Sequence, residues 1–389
     1  MNIKELDNKY VANTYARFPI ELVKGKGSKM YDSEGKEYID LGTGIGVSAF
    51  GTADEEWIEA VTAQLSTLQH TSNLYYSAPC TLLAEFLCEK TGAKKVFFSN
   101  SGAEANECAI KAARKYAAEK KGKEYYNIIT LNNSFHGRTI TTLAATGQES
   151  FHKDFLPLTD GFLYADAEDT EKIAGYIKNE KIAAVMIEVV QGEGGVVPLS
   201  REFVTSIKEL CEKNDVLLIV DEVQTGNGRT GALYGYMKYG ITPDIVSTAK
   251  GIGGGLPLGA TMFFEKTENV YTPGSHGSTF GGNPVSCAGA LSIMKRLTPE
   301  FLDEVEKKSE YIINELSSAE GIKGITGMGL MLGIETEKDI NEVLSFCQEN
   351  GILPIKAKNK LRLLPPLNIP FEDLKKAVDI IKSACKVGL

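Results

Sequence analysis

The stretch "VLLIVDEVQTG" sets two carboxylates, Asp221 and Glu222, directly behind five apolar residues. An acidic side chain at the end of a buried strand is costly unless something pairs with it. Capping of the next turn accounts for one of them at most. Twenty-nine residues further on, "DIVSTAK" closes another apolar run with Lys250, followed by glycines at 251, 253, 254 and 255. Such a lysine is either a surface or salt-bridged residue or a reactive one. A third feature lies upstream, where "VFFSNSGAEANECAIKAARK" runs from a strand through a Ser/Asn/Gly turn into an alanine-rich helix. N-capping by Ser99, Asn100 or Ser101 explains the turn. It does not explain the small residues that continue through Gly102 and Ala103 to Ala105. Uncovered N–H groups at a helix start, at the positive end of its dipole, make an anion site.

An anion cradle, a buried carboxylate and a lone lysine are the three parts that hold pyridoxal phosphate. The lysine amine can condense with the aldehyde. The carboxylate keeps the pyridine nitrogen protonated, so the ring can accept electrons. An ordinary lysine, with a pKa of about 10.4, is mostly protonated at neutral pH. Desolvation at a strand end lowers that value and favours the nucleophile. Lys250 and Asp221 are therefore read as the catalytic pair, with the glycines letting strand and loop approach the cofactor.

These residues need a scaffold. From about 95 to 265, short apolar runs alternate with longer amphipathic segments: "KVFFS", "NIITL", "GFLYA", "AAVMIEVV", "VLLIVDE", "DIVSTA" and "ATMFF". Continuous β-branched runs suit strands covered on both faces, so the fold class is α/β with a mostly parallel central sheet. In open α/β sheets ligands sit at the carboxyl ends of the strands, and the Gly-rich loops there place one large site on one edge. A hairpin around "DSEG" (21–42) and a helix over "DEEWIEAVTAQLSTL" precede the sheet. Helices around 301–317 and 339–350 and over "FEDLKKAVDIIKSACKVG" follow it. The expected layout is an N-terminal segment, 1–45, belonging to a small α+β domain, a large cofactor-binding domain, 46–295, and the rest of the small domain, 296–389.

Composition agrees. The 389 residues are 43% apolar and 24% charged, ordinary values for a folded globular chain. A net charge of −9 and a pI near 5.3 argue against a nucleic-acid partner. Seven scattered cysteines without C-x-x-C spacing read as reduced thiols. With four histidines, none near a cysteine at ligand spacing, no metal is expected. Neither a signal peptide nor a membrane span is evident, so the expected location is cytoplasmic. "GTGIGVSAFG" lacks the βαβ context of a dinucleotide site.

"NSGAEANE", "FHGRT", "QGEGGV", "DEVQTGNGRTG", "STAKGIGGGLPLGA" and "HGSTFGGNP" occur in that order, and together they resemble the class III (ω-) aminotransferases. The resemblance runs from "NTYARFP" to "RLLPPL". It implies a fold-type I transferase and a homodimer with each active site at the subunit interface. It also implies that Phe135 stacks on one face of the pyridine ring, that Val223 packs on the other and that Gln224 reaches the phenolic oxygen. Gly102 and Ala103 would supply N–H groups to the phosphate, and Thr279 of the partner subunit a hydroxyl.

Two carboxylate substrates in turn call for arginines, since a guanidinium binds carboxylate bidentately. Arg362, between apolar residues in "KLRLLPPL", and Arg138, behind the Phe-His-Gly turn, are the candidates; an internal salt bridge is the alternative for each. The resemblance assigns the substrate's α-carboxylate to Arg362 and a second carboxylate to Arg138. It lets Glu193 mask Arg362 while an ω-amine binds, and it adds Tyr15 to the substrate site. The opening "NTYARFPIELVKGKGSKMYDSEGKEYID" is similar to that of the acetylornithine branch, where a small residue such as Gly44 leaves room for an N-acyl group. "SAFGTADEEW" departs from the family's usual entrance-loop pattern. The expected reaction moves the ω-amino group of N-acetylornithine to 2-oxoglutarate, a step of arginine biosynthesis. Succinylornithine, ornithine, 4-aminobutyrate or acylated-lysine substrates, and an aminomutase on the same scaffold, are the alternatives.

Overall fold

A computed structural model describes residues 2–386; the outermost ends of the two expected terminal segments, residues 1 and 387–389, lie outside the described residues. The seven apolar runs become the seven strands of one sheet: β1 (Lys95–Ser99), β2 (Asn127–Leu131), β3 (Phe162–Ala165), β4 (Ile182–Ile187), β5 (Leu217–Asp221), β6 (Ile245–Thr248) and β7 (Gly259–Phe263). Their spatial order is β1-β7-β6-β5-β4-β2-β3. The sheet is parallel except for β7, which runs antiparallel to both its neighbours.

Both faces are buried, as the unbroken apolar runs require. Ile128, Met186, Leu217, Ile219 and Ile245 pack under the alanine-rich face of the helix Gly102–Lys120. Their neighbours Ile129, Val185, Leu218, Val220 and Val246 point into the larger core on the other face. The alternation follows from the period-two pleat of a strand.

The run "AAVMIEVV" is one strand in sequence and not in space. Strand β4 stops at Ile187, and pairing resumes only at Val190–Gln191 with Val197–Pro198. Glu188 sits at the break, buried, its Oε1 accepting from the Phe135 N–H at 2.9 Å and its Oε2 from the Gly192 N–H at 3.3 Å. Its side chain thus ties together the loops that carry Phe135 and Gly192 at the point where the strand ends.

The N-terminal strands Leu22–Lys26, Lys29–Asp32 and Glu37–Asp40 form antiparallel pairs around the "DSEG" turn, and Ile352–Leu353 joins them in parallel. A second four-stranded sheet is built from Ile322–Met328, Met331–Thr336, Ile355–Ala357 and Lys360–Leu363. Helices Pro299–Ser317, Ile340–Glu349 and Phe371–Cys385 stand where the apolar periodicity puts them, the first two capped by Thr298 and Asp339. Among the described residues no helix is long and apolar enough to cross a membrane, and no cluster of side chains suits a metal ion.

Candidate active site

Because parallel strands end on one side, the loops after β1, β2, β4, β5 and β6 converge at the carboxyl edge of the sheet. They enclose a cavity of about 420 Å³, within the range of small-molecule sites. Gly102, Ala103, Phe135, Arg138, Asp221, Val223, Gln224 and Lys250 all line it.

Lys250 follows β6 and is held from behind. Asn227 Nδ2 donates to Thr248 Oγ1 and to the Ala249 carbonyl, each at 3.0 Å. The lysine itself has φ 49°, a left-handed conformation that costs a non-glycine residue about 1–3 kcal/mol and clusters at functional sites. Burial pushes its ammonium below the ordinary lysine value; the Glu193 carboxylate opposes this and the Arg362 charge adds to it. The neutral amine is thus favoured relative to a surface lysine.

The glycines behind Lys250 serve a different purpose from the one expected. A Cβ on Gly254 would lie 2.2 Å from Ile293 Cδ1 and 3.0 Å from Trp57 Nε1, and one on Gly253 would lie 2.1 Å from the Leu256 carbonyl oxygen. Trp57 Nε1 donates to the Gly253 carbonyl at 3.2 Å. They let the loop close on itself and on the Trp57 helix, so the close approach is to protein; of the expected glycines, Gly255 alone lines the cavity.

Asp221 ends β5 and is locked on both oxygens. Oδ2 accepts from Asn106 Nδ2 and pairs with His136 Nδ1, both at 2.8 Å, and Oδ1 accepts from the Val223 N–H at 3.0 Å. Asn106 is itself fixed, accepting from Ser247 Oγ at 2.5 Å and donating to the His136 carbonyl at 2.8 Å. Burial works against the His136 cation, but the Asp221 hydrogen bond and charge outweigh it and raise its pKa. Burial pushes Glu188 up to about 7. Glu222, the neighbour of Asp221 in sequence, turns away to accept from Thr225 Oγ1 and from the N–H groups of Gly235 and Tyr236. It is structural.

The helix expected to follow the Ser/Asn/Gly turn starts at Gly102. Ser101 caps the helix, its Oγ accepting from the Glu104 N–H, and Gly102 and Ala103 precede the first intrahelical donor. A Cβ on Gly102 would lie 2.7 Å from Val223 Cγ1, so only glycine admits the valine that walls the cavity there.

Arg362 is buried on the strand Lys360–Leu363, and its Nη1 donates to Glu193 Oε1 at 2.6 Å and to Gln224 Oε1 at 3.1 Å. Its buried Nε has no partner among the described residues. Burial disfavours the Glu193 anion, yet Arg362 and Lys250 hold its pKa below the ordinary value. Gly192 makes room for this group, since a Cβ there would lie 2.6 Å from Gln224 Nε2.

Four expected residues do not line the cavity within one chain. Arg362 and Glu193 reach it only through Gln224, which does line it. Thr279 lies at a neighbouring hollow of about 350 Å³ with Ser99, Asn100, Glu104 and His276. Tyr15 is 70% exposed, with the Arg17 guanidinium 5.2 Å from its ring centroid. Asn106, His136 and Glu188 were not singled out from sequence. Glu188 was hidden inside an apolar run, and a charge at that position was the signal available.

The arrangement fits pyridoxal phosphate: free N–H groups at the Gly102 helix start, a fixed carboxylate and a desolvated amine on one cavity, and an aromatic ring, Phe135, on its wall. The sequence model of the family described as "Aminotransferase class-III" matches residues 10–385. The chain is 49% identical over 381 residues to an acetylornithine aminotransferase of Haemophilus ducreyi, covering 97% of each chain. Its structure is similar to that of an ornithine aminotransferase from Toxoplasma gondii with partial occupancy of PLP at its active site (TM-score 0.93, 34% identity, 98% and 93% of the two chains). It is also similar to an N-acetylornithine aminotransferase from Stenotrophomonas maltophilia (TM-score 0.83, 34% identity, 98% and 97%).

Proposed function

The chain belongs to the class-III aminotransferases, and from that premise we propose that it moves the ω-amino group of N-acetylornithine to 2-oxoglutarate with pyridoxal phosphate as cofactor. The observation that carries the reading is the cavity lined by Lys250, Asp221, the Gly102–Ala103 helix start and Arg138, with the Arg362–Glu193 pair joined to its lining through Gln224. The 49% identity to an acetylornithine aminotransferase supports the substrate.

When bound, the cofactor supplies an aldehyde for the amino group and a cationic ring that withdraws electrons from the reacting carbon. The protein does the rest. Asp221, fixed by Asn106 and His136, holds the ring nitrogen protonated without having to reorganise. Lys250 Nζ would take the proton from the reacting carbon and pass it to the cofactor's aldehyde carbon, so that it does not return to the carbon it left. Phe135 and Val223 would wall the ring, Gln224 would reach its oxygen, and Gly102 and Ala103 would hold the phosphate. Arg362 takes the α-carboxylate of glutamate when Glu193 moves aside, and Arg138 takes the carboxylate at the far end of either substrate.

The reading includes a homodimer in which Thr279 of the partner subunit completes the phosphate site and Tyr15 joins the substrate site. Leu74 and Tyr76 are 87% and 103% exposed, and Asn73 Nδ2 ties their segment to the Ser278 and Gly281 carbonyls, beside Thr279. Apolar side chains left bare around a site residue call for a covering surface. Division into a large domain, 46–295, and a small one from 1–45 and 296–389 belongs to the same reading, as does a reducing, cytoplasmic setting, supported by seven unpaired cysteines.

Likeness to an ornithine aminotransferase makes free ornithine the competing substrate. Purified holoenzyme given 2-oxoglutarate with acetylated or free ornithine decides, by the glutamate formed. Faster turnover of free ornithine overturns the N-acetyl assignment, and no glutamate from any ω-amine overturns the reaction.

A further inference from the structure

Arg138 and Arg362 are held in opposite ways. Arg362 is ion-paired to Glu193, whereas among the described residues Arg138 makes no ion pair and no side-chain hydrogen bond. Its guanidinium carbon instead lies 4.6 Å from the ring centroid of Phe151 and 5.5 Å from that of Phe135. The two rings meet edge to face at 72°, with centroids 5.9 Å apart.

Phe135 lines the cavity; Phe151 stands behind it. Its short helix, Glu149–His152, is pinned from both ends. Gln148 Nε2 donates to the Ser134 carbonyl at 3.0 Å, and His152 Nε2 lies 2.9 Å from the Leu143 carbonyl oxygen and 2.7 Å from that of Thr146. The Phe151 ring is therefore placed by contacts that do not involve the arginine.

A ring face attracts a guanidinium through its quadrupole and uses none of the five N–H donors. A carboxylate partner would position the arginine equally well but would neutralise it and occupy the fork that a substrate needs. We propose that Phe151 is a positioning residue that fixes Arg138 while leaving its charge and donors free, and so sets the preference for substrates with a carboxylate at the end remote from the reacting amine. The inference rests on the proposed aminotransferase reading for the identity of those substrates.

The test compares wild-type holoenzyme with F151L, with F151Y, and with a ring-fluorinated phenylalanine at 151 that keeps the shape and weakens the quadrupole. L-Glutamate, with two carboxylates, is set against L-alanine, with one. In F151L and the fluorinated protein the KM for glutamate rises about fivefold, with kcat changed less than about twofold. The KM for alanine stays put, and F151Y behaves as wild type. Calorimetric binding of glutarate against butyrate reads the same preference without turnover: glutarate weakens by about fivefold and butyrate is unaffected. Equal losses for both members of either pair, an unchanged glutarate affinity, or wild-type protein that binds glutarate no better than butyrate overturns the proposal. Absence of glutamate turnover by the wild type sinks the aminotransferase reading instead, and the glutarate measurement still judges Phe151.

Discussion

Glu193 Oε1 lies 2.6 Å from Arg362 Nη1, joining a half-exposed loop carboxylate to a buried arginine 169 residues away. Gln224 accepts from the same nitrogen at 3.1 Å. Nη1 is engaged while, among the described residues, the buried Nε has no partner, and the proposed switch exchanges the internal carboxylate for the substrate's.

Removing the internal partner separates the two half-reactions. In Glu193→Ala, Arg362 is permanently unmasked. The ratio of kcat/KM for glutamate to that for the ω-amine rises by about tenfold or more, the worth of a charged hydrogen bond. Stopped-flow spectra of each half-reaction measure it, and equal changes in both contradict the switch.

Loss of the Lys250 amine removes both covalent capture and proton transfer. Lys250→Ala holds the cofactor only non-covalently, so borohydride fixes little of it to the chain, and turnover is lost. Mass spectrometry after reduction gives the first result and glutamate formation the second; normal turnover rules the assignment out.

The pH dependence of cofactor capture follows from the charges around Lys250. Only the neutral amine attacks the aldehyde, so the capture rate by apoprotein rises as pH climbs through the lysine pKa. Burial sets that value below 10.5, and Glu193 is the largest influence opposing the shift. Glu193→Gln removes the opposing anion, the pKa falls further, and the rising limb moves to lower pH. A limb that stays put or moves up contradicts this.

Asp221→Ala leaves the ring nitrogen without its fixed anion. At saturating cofactor kcat falls by about 100-fold or more. Primary deuterium isotope effects on the substrate's reacting carbon locate the loss in proton removal.

Gly102→Ala forces a methyl group to within 2.7 Å of Val223 Cγ1. Overpacking there costs about 1–3 kcal/mol and displaces the helix start proposed to bind phosphate. Both the melting temperature and the affinity for pyridoxal phosphate fall.

Seven apolar runs, the helix start at Gly102 and the strand-end positions of Asp221 and Lys250 were legible in the chain itself. Each is a local pattern: a run of β-branched residues, a cap, a charge at the end of a strand. Parallel strands then bring such ends to one edge whatever the details of packing. The purpose of the glycines after Lys250 was not legible, because the Trp57 and Ile293 side chains they accommodate come from distant helices. Nor was the role of Glu188, whose carboxylate, at the end of a strand, binds two loops. The Asp221–His136–Asn106 lock, the Glu193–Arg362 pair and the Phe151–Arg138 contact join segments with no pattern in common. Periodicity reports which face of an element is buried. What that face meets, and hence which buried charges are paired and which stay free for a substrate, is decided only when the elements pack.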